Sequence, residues 1–234
     1  MKYKGYKGQL LTVDLTTGAI GHITLGDDLA EKYLGGRGIA ARILYDEIKP
    51  GVDPFSPDNR VLFITGPASG TLLPTSARFA VGTKSPLTGT LTVGYAGGHW
   101  APELKYAGYD GILISGIASK PVYLYISDGK VELRDGGHLW GKDAFETEEL
   151  LKRELGPKFQ VASIGIAGER LVPLASVVHE QHVVGRGGPG AVMGAKNLKA
   201  VAVRGTGGVE MAAGGMAAIE GAKVFRDIIY TNPV

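Results

Sequence analysis

Glycine and arginine concentrate in residues 183–204, VVGRGGPGAVMGAKNLKAVAVR. Glycine lets the backbone approach a ligand closely, and consecutive exposed N–H groups in such loops form concave sites for anions. The glycines are Gly185, Gly187, Gly188, Gly190 and Gly194, and Arg186 lies among them. These residues predict a site for an anionic group, and a phosphate-bearing cofactor is the first hypothesis.

A dinucleotide fingerprint is the simplest interpretation of these glycines. Gly185, Gly187 and Gly190 satisfy G-x-G-x-x-G, and the acidic Glu210 follows about 20 residues later. The fingerprint requires a long helix after the glycines and several further βα units. Only residues 191–198 are available before the sequence becomes strand-like, so we reject this interpretation.

The composition indicates a soluble globular protein. The chain has 234 residues, a net charge of +2 and no cysteine. The absence of cysteine excludes disulfides, a cysteine-ligated zinc site and an iron–sulfur cluster bound by this chain alone. Lysine and arginine are spread along the sequence, and no segment suits a signal peptide or a membrane helix. We therefore expect a cytoplasmic protein that binds neither nucleic acid nor membrane.

The same order of elements occurs twice along the chain. A β-hairpin is predicted at residues 9–25 and again at 121–135, each with a turn that contains glycine. A helical segment follows each hairpin, and apolar strands come next. These strands cover residues 60–66, 76–84, 159–165 and 170–178. The order predicts an α+β fold, internally duplicated as hairpin-helix-strands units that form two β-sheets.

The helix beginnings carry sequence signals. Asp27 or Asp28 is the expected N-cap of the first helical segment, and Asp143 with Glu146 has the form of a capping box in the second. Arg37, in GGRG, could contact a phosphate or cap the preceding helix.

A glycine-rich segment falls at the corresponding place in each half. The first is TVGYAGGHW at residues 92–100 and the second is VVGRGGPG at residues 183–190. Two equivalent loops that face a common cleft could bind one elongated ligand. Gly97 and Gly98 could also serve only a bulge or a tight turn.

Several blocks resemble the N-terminal, pyranopterin-binding domain of the tungsten-containing aldehyde ferredoxin oxidoreductase family, over essentially the whole chain. The blocks are GQLLTVDLTTG (8–18), YLGGRGIA (33–40), FITGPASGT (63–71), TKSPLTG (83–89), APELKYAGYDGILISGIASKPVYLYI (101–126), ASIGIAGE (162–169) and RGGPGAVMGAKNLKAVAV (186–203). The resemblance implies an α+β domain with an internal duplication. It also implies an oxidoreductase that converts aldehydes to carboxylic acids, with ferredoxin as the electron acceptor.

The resemblance further implies a bis-pyranopterin cofactor that carries tungsten or molybdenum, with magnesium between the two pterin phosphates. The implied cofactor-binding residues are Arg78, Tyr95, Ala96, Gly97, Gly98, His182, Val183, Gly185, Arg186, Gly187 and Gly188. The backbone carbonyl groups of Tyr95 and Val183 are the implied ligands of magnesium. No catalytic residue is assigned.

The sequence departs from the family pattern at three places. Tyr95 stands where well-known members have asparagine, and His182 stands where they have arginine. Residues 100–103, WAPE, look closer to the acyl-CoA-reducing branch of the superfamily. The alternatives are therefore a domain of an acyl-CoA-reducing relative, or a non-catalytic pterin-binding or scaffold subunit.

Catalytic chains of the family continue well beyond this domain and carry there the cysteines of a [4Fe-4S] cluster. We expect residues 1–205 to form the cofactor-binding domain, with repeat halves at about 5–100 and 108–205. Residues 206–234 are expected to be a linker and the first helix of a missing C-terminal region. The implied partners are the C-terminal domains or a separate cysteine-bearing subunit, ferredoxin and a small aldehyde, and a homodimer is left open. Alone, the chain is expected to be inactive.

Some site residues have simpler interpretations. Arg78 could be an ordinary surface arginine. His179 and His182 flank Glu180 and Gln181, so a metal site is conceivable, although isolated histidines usually lie on the surface or are hydrogen-bonded in the core. Lys105 could lie on a helix surface or in an active site.

Overall fold

Residues 1–232, the part of the chain that the computed structural model describes, form twelve strands and seven α-helices. The strands are β1 (Gln9–Asp14), β2 (Ile20–Thr24), β3 (Val61–Thr65), β4 (Phe79–Lys84), β5 (Leu91–Ala96), β6 (Gly111–Ser115), β7 (Val122–Ser127), β8 (Lys130–Asp135), β9 (Gln160–Ser163), β10 (Val177–His179), β11 (His182–Val184) and β12 (Leu198–Arg204). The α-helices are α1 (Asp27–Tyr33), α2 (Gly36–Glu47), α3 (Trp100–Tyr106), α4 (Ala144–Leu155), α5 (Ile166–Glu169), α6 (Pro189–Ala195) and α7 (Gly215–Thr231).

The strands form two six-stranded sheets of identical topology. The first has the order β2-β1-β6-β3-β4-β5, and the second has the order β8-β7-β12-β9-β10-β11. In the first sheet β6 lies between β1 and β3, and in the second β12 lies between β7 and β9. Strand β6 is parallel to β1, and β12 is parallel to β7. The predicted α+β fold with an internal duplication and two sheets is confirmed.

The boundary between the two units differs from the expected one. The sequence placed the halves at about residues 5–100 and 108–205, but β6 belongs to the first sheet. It pairs in parallel with β1 and antiparallel with β3, because α3 provides the crossover that parallel pairing requires. The sheets therefore divide the chain after Ser115.

A long helix covers the outer face of each sheet. In α2 the buried residues are Ile39, Ala40, Ile43 and Leu44, whose spacing places them on one helix face. They pack against one side of the first sheet, where Leu62 and Ile64 of β3 point. Val61 and Phe63 point to the opposite side and join the core shared by the two sheets, as strand alternation requires.

The two units exchange helices across this shared core. Helix α3 of the first unit packs on β9 and β12 of the second sheet, and α6 of the second unit packs on β3 and β4 of the first. Trp100 is fully buried, and its indole N–H donates to the Val201 carbonyl oxygen at 3.1 Å. Its ring lies 4.7 Å from that of Phe79, centroid to centroid. The units therefore share one continuous core.

The two predicted helix caps had different outcomes. The capping box is confirmed: Asp143 accepts from the Glu146 amide at 2.8 Å, and the Glu146 carboxylate accepts from the Asp143 amide at 3.1 Å. The prediction for the first helix was wrong, because Gly26 is the N-cap and no side chain caps it. Asp27 and Asp28 lie in the first turn instead, where a carboxylate still interacts favourably with the helix dipole.

The predicted strand at residues 170–178 is largely absent. Only Val177 and the two residues after it form β10, and α5 and turns occupy residues 166–176. Pro173 has no backbone N–H to donate to a neighbouring strand, and Leu171 has a positive φ of 56°, which is incompatible with extended strand backbone. The apolar residues Leu171, Val172 and Leu174 of this run are exposed rather than buried in a sheet.

Helix α7 follows a segment, residues 205–214, that contains neither helix nor strand. The sequence predicted a linker and a helix within residues 206–234, of which 233 and 234 lie outside the described residues. No residue of α7 is buried, and its apolar side chains include Met216, Phe225 and Ile228. Among the described residues, none of the helices has the length and apolar composition of a membrane span.

Close backbone packing between α5 and α6 predicts a strong steric effect at Gly194. A Cβ at this position would overlap the carbonyl oxygen of Gly168, which is backbone and cannot move aside alone. Gly194→Ala should lower the free energy of unfolding by about 1–3 kcal/mol in urea titrations. The control is Gly221→Ala in α7, where a Cβ meets nothing within 4 Å. Equal stabilities of the two variants would contradict this packing.

A buried lysine in the second unit predicts a rise of stability with pH. Lys196 donates from Nζ to the Gly116 carbonyl oxygen at 2.9 Å, and burial lowers its pKa to about 8. The unfolded value is about 10.4, so between these pH values the unfolded chain binds more protons and stability rises. In thermal scans, the melting temperature of wild type minus that of Lys196→Met should therefore increase between pH 8 and 10. A difference that does not change with pH would contradict the assignment.

Candidate functional site

The two sheets meet at equivalent edge strands. Strands β5 and β11 end their sheets, and each belongs to a different unit. A Cβ on Gly94 would lie 2.6 Å from Val184 Cγ1, and one on Gly97 would overlap the ring of His182. The two strands therefore cross in direct contact, which places the two glycine-rich segments at one site.

Strand register defines which residues of the two units are equivalent. Ala96 pairs with Phe79 in the first sheet, and Val184 pairs with Val177 in the second. The equivalent pairs are consequently Arg78 with Ser176, Tyr95 with Val183, Ala96 with Val184, and Gly97 with Gly185. In two of these pairs, Tyr95 with Val183 and Gly97 with Gly185, both members are predicted cofactor-binding residues, so the two segments correspond through an approximate twofold relation.

The carbonyl group of Tyr95 points away from its sheet. The hairpin between β4 and β5 closes with the Ser85 amide donating to the Thr90 carbonyl oxygen at 2.8 Å. Because pairing alternates along an antiparallel edge strand, Val93 and Tyr95 face outward. Consistently, the Val93 carbonyl oxygen lies 3.5 Å from Arg37 Nη2.

The same direction follows for Val183. His179 and His182 flank a two-residue turn, so they form the hydrogen-bonded pair and Val183, opposite Val178, faces outward. Tyr95 and Val183 lie between the two contacts by which the edge strands touch. Two equivalent carbonyl groups at one crossing are suitable oxygen ligands for a hard cation such as Mg²⁺.

The turns that follow the edge strands contain unused backbone donors. Among the hydrogen bonds of residues 1–232, none is donated by the backbone N–H groups of Gly97, Gly98 or residues 185–188. Gly185 and Arg186 are exposed, and Gly97 and Gly98 are half-buried. Free N–H groups in successive turn residues form the concave sites that bind phosphate.

The conformations of these glycines are explained mainly by packing between the units. A Cβ would be blocked at Gly98 by His179, 2.6 Å away, and at Gly187 by Thr92. At Gly188 it would overlap the Pro173 carbonyl oxygen. Gly185 differs, because its nearest neighbour lies 3.6 Å away. Glycine is needed at Gly98, Gly187 and Gly188 to bring the turns close to the other unit.

A pocket of about 340 Å³ lies beside Tyr95 in the first unit. It is lined by Leu34, Gly35, Gly36, Ile64, Gly66, Pro67, Ala68, Ser69, Ser76, Arg78 and Tyr95. Helix α2 begins here at an N-cap, Gly35, that has no side-chain hydrogen bond. The Tyr95 hydroxyl accepts from the Arg37 amide at 2.9 Å, so the tyrosine ring covers the helix N-terminus.

Two predicted arginines are free to bind a ligand. Arg78 and Arg186 are exposed, and within residues 1–232 neither has a carboxylate oxygen within 4 Å. Arg78 lines the pocket beside Tyr95, and Arg186 lies in the turn after β11. Arg37, also exposed, stacks over the Tyr95 ring at 5.6 Å from its centroid. The site therefore has uncompensated positive charge.

The equivalent pocket of the second unit lacks these features. It has about 380 Å³ and is lined by residues such as Ala144, Gly165 and Ser176. Ser176 occupies the position of Arg78, and the capping box of α4 already satisfies that helix N-terminus. In this unit positive charge comes from Arg186 in the turn instead.

The remaining predicted residues have definite places. Ala96 is buried at the end of β5, and His182 is exposed, with its ring over Gly97. The described part of the chain contains no group of three or more His, Cys, Asp or Glu side chains that could hold a metal. Another cavity, of about 420 Å³ and mostly apolar, lies under α7 and does not include these residues.

Sequence reasoning missed the contact between Tyr95 and the α2 N-terminus. For His179 the hydrogen-bonded core position that the sequence analysis offered is confirmed, but its partners, the first residues of α3, were not predicted. The GGRG sequence was the only signal for the first contact. No local signal exists for the second, since the residues are 79 and 80 positions apart.

Comparison with known proteins shows similarity to one family of oxidoreductases. Residues 10–205 match the family described as aldehyde ferredoxin oxidoreductase, N-terminal domain. The chain is 52% identical over 210 residues to the tungsten-containing aldehyde ferredoxin oxidoreductase of Pyrococcus abyssi, covering 89% of this chain and 35% of that protein. It is 36% identical to the aliphatic sulfonate oxidoreductase, WOR-like subunit, of Pyrococcus furiosus, covering 86% of this chain and 35% of that subunit.

A solved structure is also similar. A chain of the active site complex BamBC of benzoyl coenzyme A reductase, in complex with 1,5-dienoyl-CoA, superposes with a TM-score of 0.86 at 48% identity. The match covers 88% of this chain and 32% of that chain. The sequence therefore spans about a third of the length of its relatives.

Proposed function

Because this chain belongs to the aldehyde ferredoxin oxidoreductase family, whose N-terminal domain it matches over residues 10–205, we propose that it binds a bis-pyranopterin cofactor carrying tungsten or molybdenum. The observation that carries the proposal is the crossing of β5 and β11, where two equivalent turns present free backbone N–H groups. A ligand with two similar phosphate-bearing halves suits a site that is built twice.

The residues at the crossing fit such a group. Phosphates require N–H donors and arginine, and magnesium requires phosphate and carbonyl oxygens. Arg78 and Arg186 have no carboxylate partner among the described residues, and Tyr95 and Val183 direct carbonyl groups outward. The dithiolene sulfurs of the pterins would hold the metal, so the lack of cysteine does not oppose the proposal.

Each residue has a proposed role. Arg78 pairs with the phosphate near the first unit, and Arg186 pairs with the other. The N–H groups of Gly97 and Gly98 and those of Gly185, Gly187 and Gly188 donate to the phosphate oxygens. Tyr95 and Val183 bind magnesium through their carbonyl oxygens, and Ala96 and His182 shape the turns.

The whole enzyme would oxidise aldehydes to carboxylic acids and pass electrons to ferredoxin. When bound, the cofactor supplies a metal centre for two-electron oxidation. The residues described here orient the cofactor by its phosphates and balance their charge. The [4Fe-4S] cluster, and the residues that handle the substrate proton, would belong to a further region or subunit, since this chain has no cysteine. Residues 1–205 would be the cofactor domain, and α7 would begin the next region.

A reductase acting on acyl-CoA thioesters is the second candidate. The similarity to a benzoyl coenzyme A reductase complex, at 48% identity, is comparable with that to the aldehyde-oxidising relatives, at 48–52%. The cofactor site would be the same in both cases. Activity of the longer protein with an aldehyde or with an aromatic acyl-CoA distinguishes them.

Metal and pterin analysis tests the proposal. The chain is expressed with tungstate or with molybdate and purified without oxygen, and bound metal, pterin and magnesium are measured. We expect two pterins for each tungsten or molybdenum atom. Protein that contains metal without pterin would contradict the proposal, as would pterin that binds equally well without the metal.

A further inference from the structure

A buried histidine lies directly beneath the Gly97–Gly98 turn. The His179 ring is fully buried, and its Nδ1–H donates to the Val161 carbonyl oxygen at 2.9 Å. Its Nε2 accepts from the backbone N–H groups of His99, at 3.1 Å, and Trp100, at 3.2 Å. These are the N-cap and the first residue of α3, so a residue of the second unit caps a helix of the first.

This arrangement requires a neutral ring. An imidazolium has no lone pair, and both amides of α3 would then lose their acceptor inside the core. Burial lowers the pKa of His179 below its usual value, and the Val161 carbonyl and the Glu180 and Glu148 carboxylates oppose this in part. Lys152, on α4 with Glu148, favours the neutral form.

The other groups near the ring complete the charge environment. Glu180 lies in the turn after β10, with Oε2 at 3.8 Å from His179 Nε2 and Oε1 at 3.4 Å from His99 Nδ1. Phe79 of β4 contacts the ring edge, with centroids 6.2 Å apart. The hydrogen bonds of the ring therefore come from β9 and from the start of α3, and the nearest carboxylate is that of Glu180.

We propose that His179 is a positioning residue for the cofactor: its unprotonated Nε2 holds the amides of His99 and Trp100 and thereby fixes the Gly97–Gly98 turn at the crossing of the edge strands. A Cβ on Gly98 would lie 2.6 Å from the ring, so the turn rests directly on it. The inference rests on the proposed function for its cofactor role, whereas the positioning of the turn is independent of it.

Hydrogen exchange of the purified chain tests the positioning. Protection factors of the His99 and Trp100 amides, corrected for intrinsic rates, are measured from pH 5 to 8 in wild type, His179→Gln and His179→Phe. Gln can supply a neutral acceptor, and Phe keeps a ring without one. The control is His138→Gln, a half-exposed histidine on the far side of the second unit.

Protonation and substitution have distinct expected effects. In wild type, protection should fall by about tenfold as the pH drops below the ordinary histidine range, because the neutral acceptor is lost. In His179→Gln protection should persist without this pH dependence, and in His179→Phe it should be low at every pH. Equal protection in wild type and the Phe variant would overturn the proposal. If the Phe variant does not fold, a wild-type pH profile identical to that of the Gln variant overturns it.

Cofactor content separates this proposal from the proposed function. Tungsten and pterin are measured in the same variants and in Arg78→Ala. We expect the Phe variant to hold at least tenfold less cofactor than wild type and the Gln variant to hold nearly as much. Loss of protection with unchanged cofactor content would overturn the cofactor role of His179. Unchanged content in Arg78→Ala would count against the proposed function and leave the measured positioning intact.

Discussion

Replacing Lys105 by methionine should lower the free energy of unfolding by about 3–5 kcal/mol, because it leaves a buried carboxylate without its cation. Lys105 is fully buried, and its Nζ lies 2.5 Å from Asp110 Oδ1 and 2.5 Å from the Gly5 carbonyl oxygen. Burial lowers the pKa of Lys105, and Asp110 opposes this by stabilising the charged form. The sequence left Lys105 between a helix surface and an active site, and the helix-surface interpretation is wrong because the side chain is fully buried.

The effect should be large because Asp110 is connected to the start of β1. Its carboxylate also accepts from the amides of Lys7, at 2.9 Å, and Gly8, at 2.7 Å. Urea unfolding monitored by tryptophan fluorescence gives the stability difference. Lys120→Met is the matched control, because Lys120 pairs with Asp135 while both remain more than half exposed, so its loss should cost less than about 1 kcal/mol. Similar losses in the two variants would show that the buried pair is not a major stabilising contact.

Removing both free arginines should abolish retention of the cofactor without unfolding the protein. Arg78 and Arg186 are exposed and have no carboxylate partner among the described residues, so alanine removes no ion pair of the folded chain. Each charge-assisted hydrogen bond to a phosphate contributes about 1.5–3 kcal/mol, which corresponds to at least about tenfold in affinity for each arginine. We therefore expect the double variant Arg78→Ala and Arg186→Ala to contain less than a tenth of the wild-type tungsten.

The measurement is tungsten per protein by mass spectrometry, beside a thermal unfolding curve. Arg153→Ala on α4 is the control, because that arginine is 70% exposed and pairs with Glu149 far from the crossing. Wild-type tungsten content in the double variant would contradict the phosphate assignments. A large fall in melting temperature would mean that the arginines have a structural role.

Local sequence signals predicted the elements of this fold well. Alternating apolar residues and glycine turns identified both hairpins, and Asp143 with Glu146 identified the start of α4. The repeated order of these elements was enough to predict two sheets, because each unit must bury one face of its helix.

Contacts between the units could not be predicted in this way. The exchange of α3 and α6 and the insertion of β6 depend on residues that are far apart in sequence. Pro173 and the positive φ of Leu171 broke a run whose hydrophobicity alone suggested a strand. Distant pairings of this kind are determined by tertiary packing, which local propensity does not contain.

The candidate site was likewise predicted from the sequence only in part. The two glycine segments, Arg78 and Arg186 were identified from the sequence and its family resemblance, and the structure brings the two segments together at one crossing. Their roles remain predictions. The glycines themselves proved to be required largely for packing, as at Gly98 against His179. Tyr95 covering the α2 N-terminus was found only in the structure.

The most direct test of the cofactor site is to locate the metal. Crystals of the tungsten-loaded protein, measured at the tungsten absorption edge, give an anomalous difference map that shows the metal position without assumptions about the ligand. We expect a single strong peak on the surface where β5 and β11 cross, beside the turns that contain Gly97 and Arg186. A peak elsewhere, for example in the cavity under α7, would contradict it.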